Sequence, residues 1–313
     1  MSQPLRILFM GTPDFAVPSL QSLLRSPHEV VAVVCQPDRQ RGRGKVMSPP
    51  PVKTVAEENN VPVLQPASVR TDDFFADIAG FTPDLLVVVA YGKILPPRVL
   101  ELPRLGAINV HGSLLPRYRG AAPIQWAVIN GDSETGITIM QMDAGMDTGD
   151  ILLKKRVAIG KEETAGELFQ RLAGVGGETL VAAVDHLRAG LLKPEPQDHN
   201  LATTAPMLNK EMGHLDWRFS AQRLHCLIRG LDPWPSAFGF INETRYRFFC
   251  PEVVPLRTSD EPGTILRADS QGLLVATGED CLRIKEIQPE GKKRMEVATC
   301  LRGTSFPLPS RIN

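Results

Sequence analysis

Through the first 130 residues, short wholly apolar runs alternate with longer segments whose apolar positions recur at helical spacing. Runs without polar alternation suit strands buried on both faces, and the amphipathic segments suit the helices that cover them. The pattern predicts strands at Arg6 to Met10, Val30 to Cys35, Val61 to Gln65, Asp84 to Ala90 and Ala107 to His111. It predicts helices at Phe15 to Arg25, Val52 to Asn60, Asp72 to Ile78 and Ala122 to Asn130. This alternation implies an α/β fold with a doubly wound, Rossmann-like, mostly parallel sheet. Beyond Asn130 the rhythm changes. Two strands, Gly136 to Met142 and Ile151 to Ile159, flank a glycine-rich loop, and a long helix from Ala165 to Ala189 closes the domain.

Residues 190–207 are rich in Pro, Asn, Gln and Thr and have no periodicity. Such a stretch predicts a linker, here between a catalytic domain at 1–189 and a second domain at 208–313. The second domain opens on a helix, Ala221 to Arg229, and continues as short β-rich runs at Ala237 to Phe240, Arg245 to Phe249, Gly263 to Ala268, Leu273 to Thr277 and Cys281 to Ile287. Short strands separated by turn residues predict a small C-terminal β-barrel, OB-like in kind.

Composition narrows the picture only in places. With 42% hydrophobic and 22% charged residues the chain is globular. Its 35 basic and 35 acidic residues cancel, so any nucleic-acid binding has to come from a local patch. The five cysteines are odd in number and scattered, with no C-x-x-C pair, which argues against a disulfide framework and a zinc site and favours a reducing cytoplasm. No metal is expected. The start of the chain lacks a basic segment leading into an apolar one, and no apolar run approaches the roughly 18 residues of a membrane span. Neither export nor a membrane partner is expected, and the chain is expected to act as a monomer.

The chemistry is sought where polar residues close a buried strand, because open parallel sheets bind ligands outside their carboxyl ends. In Gly106 to His111, Asn109 and His111 stand two residues apart on one side of an otherwise apolar strand. Asp147 lies in the loop Asp143 to Asp150, with room to face the same crevice. A carboxylate beside a histidine orients the ring and stabilises its protonated form. Amide, imidazole and carboxylate together suit attack by an amine on a carbonyl. The amide and imidazole would donate to the developing oxyanion while the His/Asp pair manages the amine's proton.

These residues also carry a resemblance. Asn109-x-His111-x-Ser113-Leu114-Leu115-Pro116-x-x-Arg119-Gly120, with Met140 to Asp143 and Asp147 to Asp150, resembles the signature of the 10-formyltetrahydrofolate-dependent formyltransferases. The likeness extends to Gly11 to Ala16, to the insertion from Gln36 through Lys45, and to Ile228 to Pro235. It implies that 10-formyltetrahydrofolate is the co-substrate, lying along Ser113, Leu114, Leu115 and Pro116. Its pterin ring would enter a pocket bordered by Val88, Val89, Ala90 and Tyr91 and by the loop around Asp143. It further implies that the acceptor is the α-amino group of initiator methionyl-tRNA, that Asn109 and His111 stabilise the tetrahedral intermediate, and that Asp147 acts with His111 on the proton.

Arg39, Arg41, Arg43 and Lys45 are interleaved with glycine and glutamine in a segment, 39–45, that contains no acidic residue, which predicts a flexible basic loop suited to RNA phosphates. The loop follows the second strand, at the carboxyl edge that carries the catalytic residues, and the resemblance gives Arg43 the most intimate contact. The second domain has 15 Lys and Arg against 13 Asp and Glu, so distribution matters there more than sum. Lys292 to Arg294, Arg245 and Arg247 are its candidate basic face, and Trp217 and Trp234 are expected to pack the domain junction. Three alternatives have different requirements. A nicotinamide dehydrogenase would need G-x-G-x-x-G where Gly11-Thr12-Pro13-Asp14 stands. A relative acting on a glycinamide nucleotide or an amino sugar would keep Asn109, His111 and Asp147 but not the insertion. A binding protein would need no such triad.

Overall fold

The computed structural model describes residues 3–41, 46–304, 306 and 308–313. The chain divides into two compact units, each gathered from three stretches: 1–120, 135–157 and 169–205 in the first, and 121–134, 158–168 and 206–313 in the second. In chain order the elements up to residue 205 are β1 (Arg6–Gly11), α1 (Val17–Leu24), β2 (Glu29–Val34), β3 (Arg39–Arg41), β4 (Val46–Ser48), α2 (Pro51–Glu58), β5 (Val63–Leu64), α3 (Asp72–Gly80), β6 (Leu85–Val89), α4 (Pro97–Leu100), β7 (Ala107–His111), β8 (Arg119–Gly120), α5 (Pro123–Ile129), β9 (Glu134–Gln141), β10 (Ile151–Ala158), α6 (Ala165–Arg188) and β11 (Thr204–Ala205).

The first unit is built on a seven-stranded sheet in the order β10-β9-β7-β6-β1-β2-β5. The five strands from β5 to β7 in that order run parallel, and β9 joins β7 antiparallel. The central strands are apolar without alternation because both faces are covered: Ile7 to Met10 and Leu85 to Val87 have no exposed surface. One apolar layer gathers Leu8, Met10, Val34, Leu86 and Val88 with Phe74, Ile78 and Val99 from α3 and α4. The predicted strand at Val61 to Gln65 contracts to two residues at one edge. The other edge, β10, exposes Lys154, Lys155 and Arg156, and its Ile151 exchanges backbone hydrogen bonds with Glu195.

Pro51 opens α2 at its first helical turn, where proline's missing N–H costs no hydrogen bond. In α3 the Thr71 hydroxyl caps the Phe74 N–H, with Asp72 and Asp73 in the first turn. The long α6 lies close against its neighbours because two glycines remove side chains. A Cβ on Gly177 would stand 2.7 Å from the Pro18 carbonyl oxygen, and one on Gly176 would stand 3.2 Å from Val110. Its start is set by a reciprocal cap: the Glu167 carboxylate accepts from the Thr164 N–H at 2.9 Å, and the Glu167 N–H donates to the Thr164 hydroxyl at 3.2 Å. Thr164→Ala is therefore expected to cost about 1 kcal/mol of unfolding free energy, measurable by urea titration without loss of activity.

The basic segment differs from the predicted open loop. Arg39, Gln40 and Arg41 pair with Ser48, Met47 and Val46 as an antiparallel ribbon of β3 and β4, so backbone hydrogen bonds hold its base. Arg39 is exposed there, while Arg43 and Lys45 lie outside the described residues. The stretch predicted to be a linker is also structured: it contributes β11, which pairs with β8.

The second unit carries α7 (Ala221–Gly230), β12 (Ala237–Ile241), β13 (Thr244–Val254), β14 (Thr264–Asp269), β15 (Gly272–Ala276), β16 (Cys281–Pro289), β17 (Met295–Glu296), α8 (Val297–Cys300) and β18 (Ser310–Arg311). The predicted helix and five strands are all present. The antiparallel order is β12-β13-β16-β15-β14-β18, with β17 on β16. The last residues nearly close it into a barrel: β18 pairs with β14, and Phe240 and Asn313 exchange backbone hydrogen bonds beside the Ile241–Ile312 bridge. Its core includes Trp217, Leu224, Ile228, Phe248, Ile265, Val275 and Ile284, and Ile129 of α5. Trp217 stacks edge-on to Phe248 inside this core, whereas Trp234, expected to be packed, is 52% exposed. Arg294 is spent internally, on Asp232, Glu286 and the ring of Phe249, and Arg245 lies over the ring of Phe238. Among the described residues no helix is long and apolar enough to cross a membrane.

Candidate functional site

Three elements of the first unit converge on one cleft. β7 supplies Asn109, seated in register between Val88 of β6 and Met140 of β9. The loop after β9 supplies residues 143–147, and the segment before α4 supplies Lys93, Ile94 and Leu95. Together with Leu100, Met140 and Met142 they enclose about 650 Å³ of space open to solvent. The walls are mostly apolar, Lys93, Asn109, Asp143 and Asp147 are polar, and Ile94 and Met146 stand 76% and 69% exposed at its side. An apolar slot with a few convergent polar groups fits a flat heteroaromatic ring such as a pterin.

His111 lies behind Asn109's end of the strand and is 6% exposed. Its Nε2–H donates to the Tyr118 carbonyl at 2.9 Å, which directs Nδ1 to the Asp147 carboxylate, 3.7 Å away. The sequence had suggested that imidazole and amide donate jointly to an oxyanion. Here Nε2 is already engaged and Nδ1 faces a carboxylate, so Asn109 is the neutral donor that opens on the cleft. The other Asp147 oxygen accepts the Gly120 N–H at 2.8 Å. Gly120 has φ +119°, and a Cβ there would stand 2.8 Å from the Ala205 carbonyl oxygen. Only glycine lets β8 approach β11 while aiming its N–H at the carboxylate.

Backbone strain gathers here. Ala90, Tyr118 and Asp147 all have positive φ, at 47°, 63° and 54°. Such conformations cost energy and persist where surrounding contacts over-determine them. For Tyr118 those contacts are its N–H on the Thr203 hydroxyl at 2.8 Å and its carbonyl on His111.

The residues expected to line the folate fall into two groups. Asp143 lines the cleft and its carboxylate ties the loop together, accepting from the Gly145 N–H at 3.0 Å and the Thr148 hydroxyl at 2.7 Å. Ala90 is exposed, but Val88, Val89 and Tyr91 point their side chains into buried surroundings. Burial pushes the Tyr91 phenol up to about 12. Ser113 and Leu115 are also buried, and Leu114 and Pro116 partly so. Their turn is held by Thr138, whose hydroxyl donates to the Ser113 carbonyl at 2.7 Å and accepts the Leu115 N–H at 3.1 Å. Thr138 stands opposite His111 on β9, so the same strand pair fixes both the imidazole and the turn.

Sequence reasoning missed Gln197. It lies in the stretch with no periodicity, yet it is 6% exposed and its amide reaches the Asp147 loop. Nothing in its neighbourhood of Pro, Glu, Asp and His distinguishes it from a surface glutamine.

Residues 5–184 match the family described as formyl transferase, and residues 207–305 match the formyl transferase C-terminal domain. The chain belongs to the formyl transferase family. Among formyl transferase relatives, the methionyl-tRNA formyltransferase of Desulfotalea psychrophila is 58% identical over 96% of this chain and 94% of its own. That of Geobacter metallireducens is 49% identical over 96% of both chains. The fold recurs in solved structures of low identity. HypX from Aquifex aeolicus in complex with tetrahydrofolic acid is 16% identical with a TM-score of 0.65, covering 96% of this chain and 47% of that one. An N-formyltransferase from Helicobacter canadensis with folinic acid and dTDP-3-aminofucose is 16% identical with a TM-score of 0.66, covering 93% and 100%.

Proposed function

We propose that this formyl transferase moves the formyl group of 10-formyltetrahydrofolate to the α-amino group of methionyl initiator tRNA, giving the N-formylmethionyl-tRNA used to start translation. The observation that carries the chemistry is the convergence of the Asn109 amide and the Asp147 carboxylate on one apolar cleft, with His111 braced behind the carboxylate. The identity and coverage shared with two methionyl-tRNA formyltransferases support the acceptor.

As the amine adds to the formyl carbon, negative charge develops on the formyl oxygen, and the Asn109 amide donates to it. The ammonium that forms must lose a proton before the adduct collapses, which re-forms the carbonyl, breaks the bond from the formyl carbon to N10 and releases tetrahydrofolate with N10 protonated. Asp147 faces the cleft as its acceptor. With Nε2–H held by Tyr118, the neutral ring carries its lone pair on Nδ1, beside Asp147, so the pair shares the proton and protonated His111 is held by the carboxylate. The enzyme works in the cytoplasm as a monomer.

The acceptor is tested by incubating the protein with 10-formyltetrahydrofolate and charged initiator tRNA, glycinamide ribonucleotide or an amino sugar nucleotide. Only the first is expected to be formylated; transfer to either of the others in its place overturns the assignment. The basic residues Arg39, Arg41, Arg43 and Lys45, with the barrel unit, hold the RNA. Neutralising Arg39 or Arg43 is expected to weaken tRNA binding and to lower the slope of log affinity against log salt by about 0.7 to 0.9 per lost phosphate contact. An unchanged slope removes that residue from the interface.

A further inference from the structure

The Asp147 loop is gripped by a side chain from a segment far along the chain. The Gln197 Nε2 donates to two backbone carbonyls at once, Asp147 at 2.9 Å and Gly149 at 2.7 Å. Its Oε1 accepts from the Arg119 guanidinium, from Nε at 3.1 Å and from Nη2 at 2.6 Å. Arg119 is joined by one peptide bond to Gly120, whose N–H holds the Asp147 carboxylate. The links close a ring: carboxylate, Gly120, Arg119, Gln197 and back to the Asp147 carbonyl. Asp147 is thus fixed from its side chain and from its backbone together.

The residue type follows from the partners. Two carbonyls on one side need two N–H donors, and a guanidinium on the other needs an acceptor, so only a primary amide serves both. Asparagine is one methylene too short to span them, and glutamate would set a carboxylate against two carbonyl oxygens. The grip has a reason to exist, because Asp147 is held at φ 54° between Gly145 and Gly149, a loop free to relax once released.

We propose that Gln197 is a positioning residue for formyl transfer, holding the Asp147 turn through its amide so that the carboxylate stays on His111 and in the cleft. This rests on the role given to Asp147 above, and two measurements separate the two ideas. The first needs no turnover. Hydrogen exchange of residues 143–150 in the full chain should accelerate about 10- to 100-fold in Gln197→Glu and in Gln197→Asn relative to wild type, while exchange in β1 and β6 stays unchanged. Unaltered exchange at 143–150 in both variants overturns the clamp, and β1 and β6 reveal a variant that has lost its fold. The second is a double-mutant cycle in the formyl-transfer assay. Gln197→Glu should lower kcat about 100-fold in the wild-type background and hardly at all in Asp147→Asn, because it acts through that carboxylate. Additive losses overturn the positioning role. If no acceptor is formylated by the wild type, the proposed reaction fails while the exchange result still decides whether Gln197 holds the turn.

Discussion

Asp147→Asn is expected to lower kcat for formyl transfer about 10²- to 10⁴-fold, the range general acid–base groups contribute. The substitution is nearly isosteric. An asparagine side-chain oxygen still accepts the Gly120 N–H that Asp147 holds at 2.8 Å. Asparagine also tolerates the left-handed backbone at φ 54° as readily as aspartate does. The Gln197 contact falls on the backbone carbonyl and survives. What is lost is the negative charge 3.7 Å from Nδ1 of His111, so the change is chemical and not architectural. Single-turnover kinetics with saturating 10-formyltetrahydrofolate read the chemical step directly. A variant with the wild-type rate removes Asp147 from the proton path.

Asn109→Ala is expected to cost about 100- to 1,000-fold in kcat, the loss seen when one preorganised oxyanion donor is removed. KM for the folate should change little, since Ile94, Leu95, Leu100 and the three methionines still line the cleft. Alanine keeps the β7 backbone pairings to Val88 and Met140, so the fold is retained. The separation of kcat from KM is the informative part. A rise in KM with unchanged kcat would show that Asn109 binds the ground state and gives the transition state nothing extra.

Much of the architecture was legible because buried parallel strands repeat one simple pattern. Ile7 to Met10 and Leu85 to Val89 are apolar at every position, and no solvent-facing strand needs to be. Asn109 and His111 stood out against that background as polar residues where the pattern calls for apolar ones. The ring nitrogen that each partner takes was not legible: that depends on Tyr118 adopting φ 63°, a conformation no propensity assigns to tyrosine. Gln197 was hidden for a different reason. Its burial comes from contacts with residues about 50 and about 80 positions away, and a lone amide among polar neighbours carries no local trace of them. Grouping 121–134 and 158–168 with the second unit is likewise set by long-range packing, as Ile129 joins the core of Leu224, Ile228 and Phe248.

The two ends of the seven-stranded sheet bear on how the protein keeps its own company. An open sheet edge is a template on which another copy can stack and from which fibres grow. At one end β5 offers only two residues, too short to template anything. At the other, β10 presents Lys154, Lys155 and Arg156, so a second β10 laid alongside would bring like charges together, and Glu195 already occupies the hydrogen-bonding groups at Ile151. In the barrel, the last four residues cover the gap between β12 and β14. The short β5, the charged and partly occupied β10 and the covered barrel gap together oppose polymerisation of the chain through its own strands.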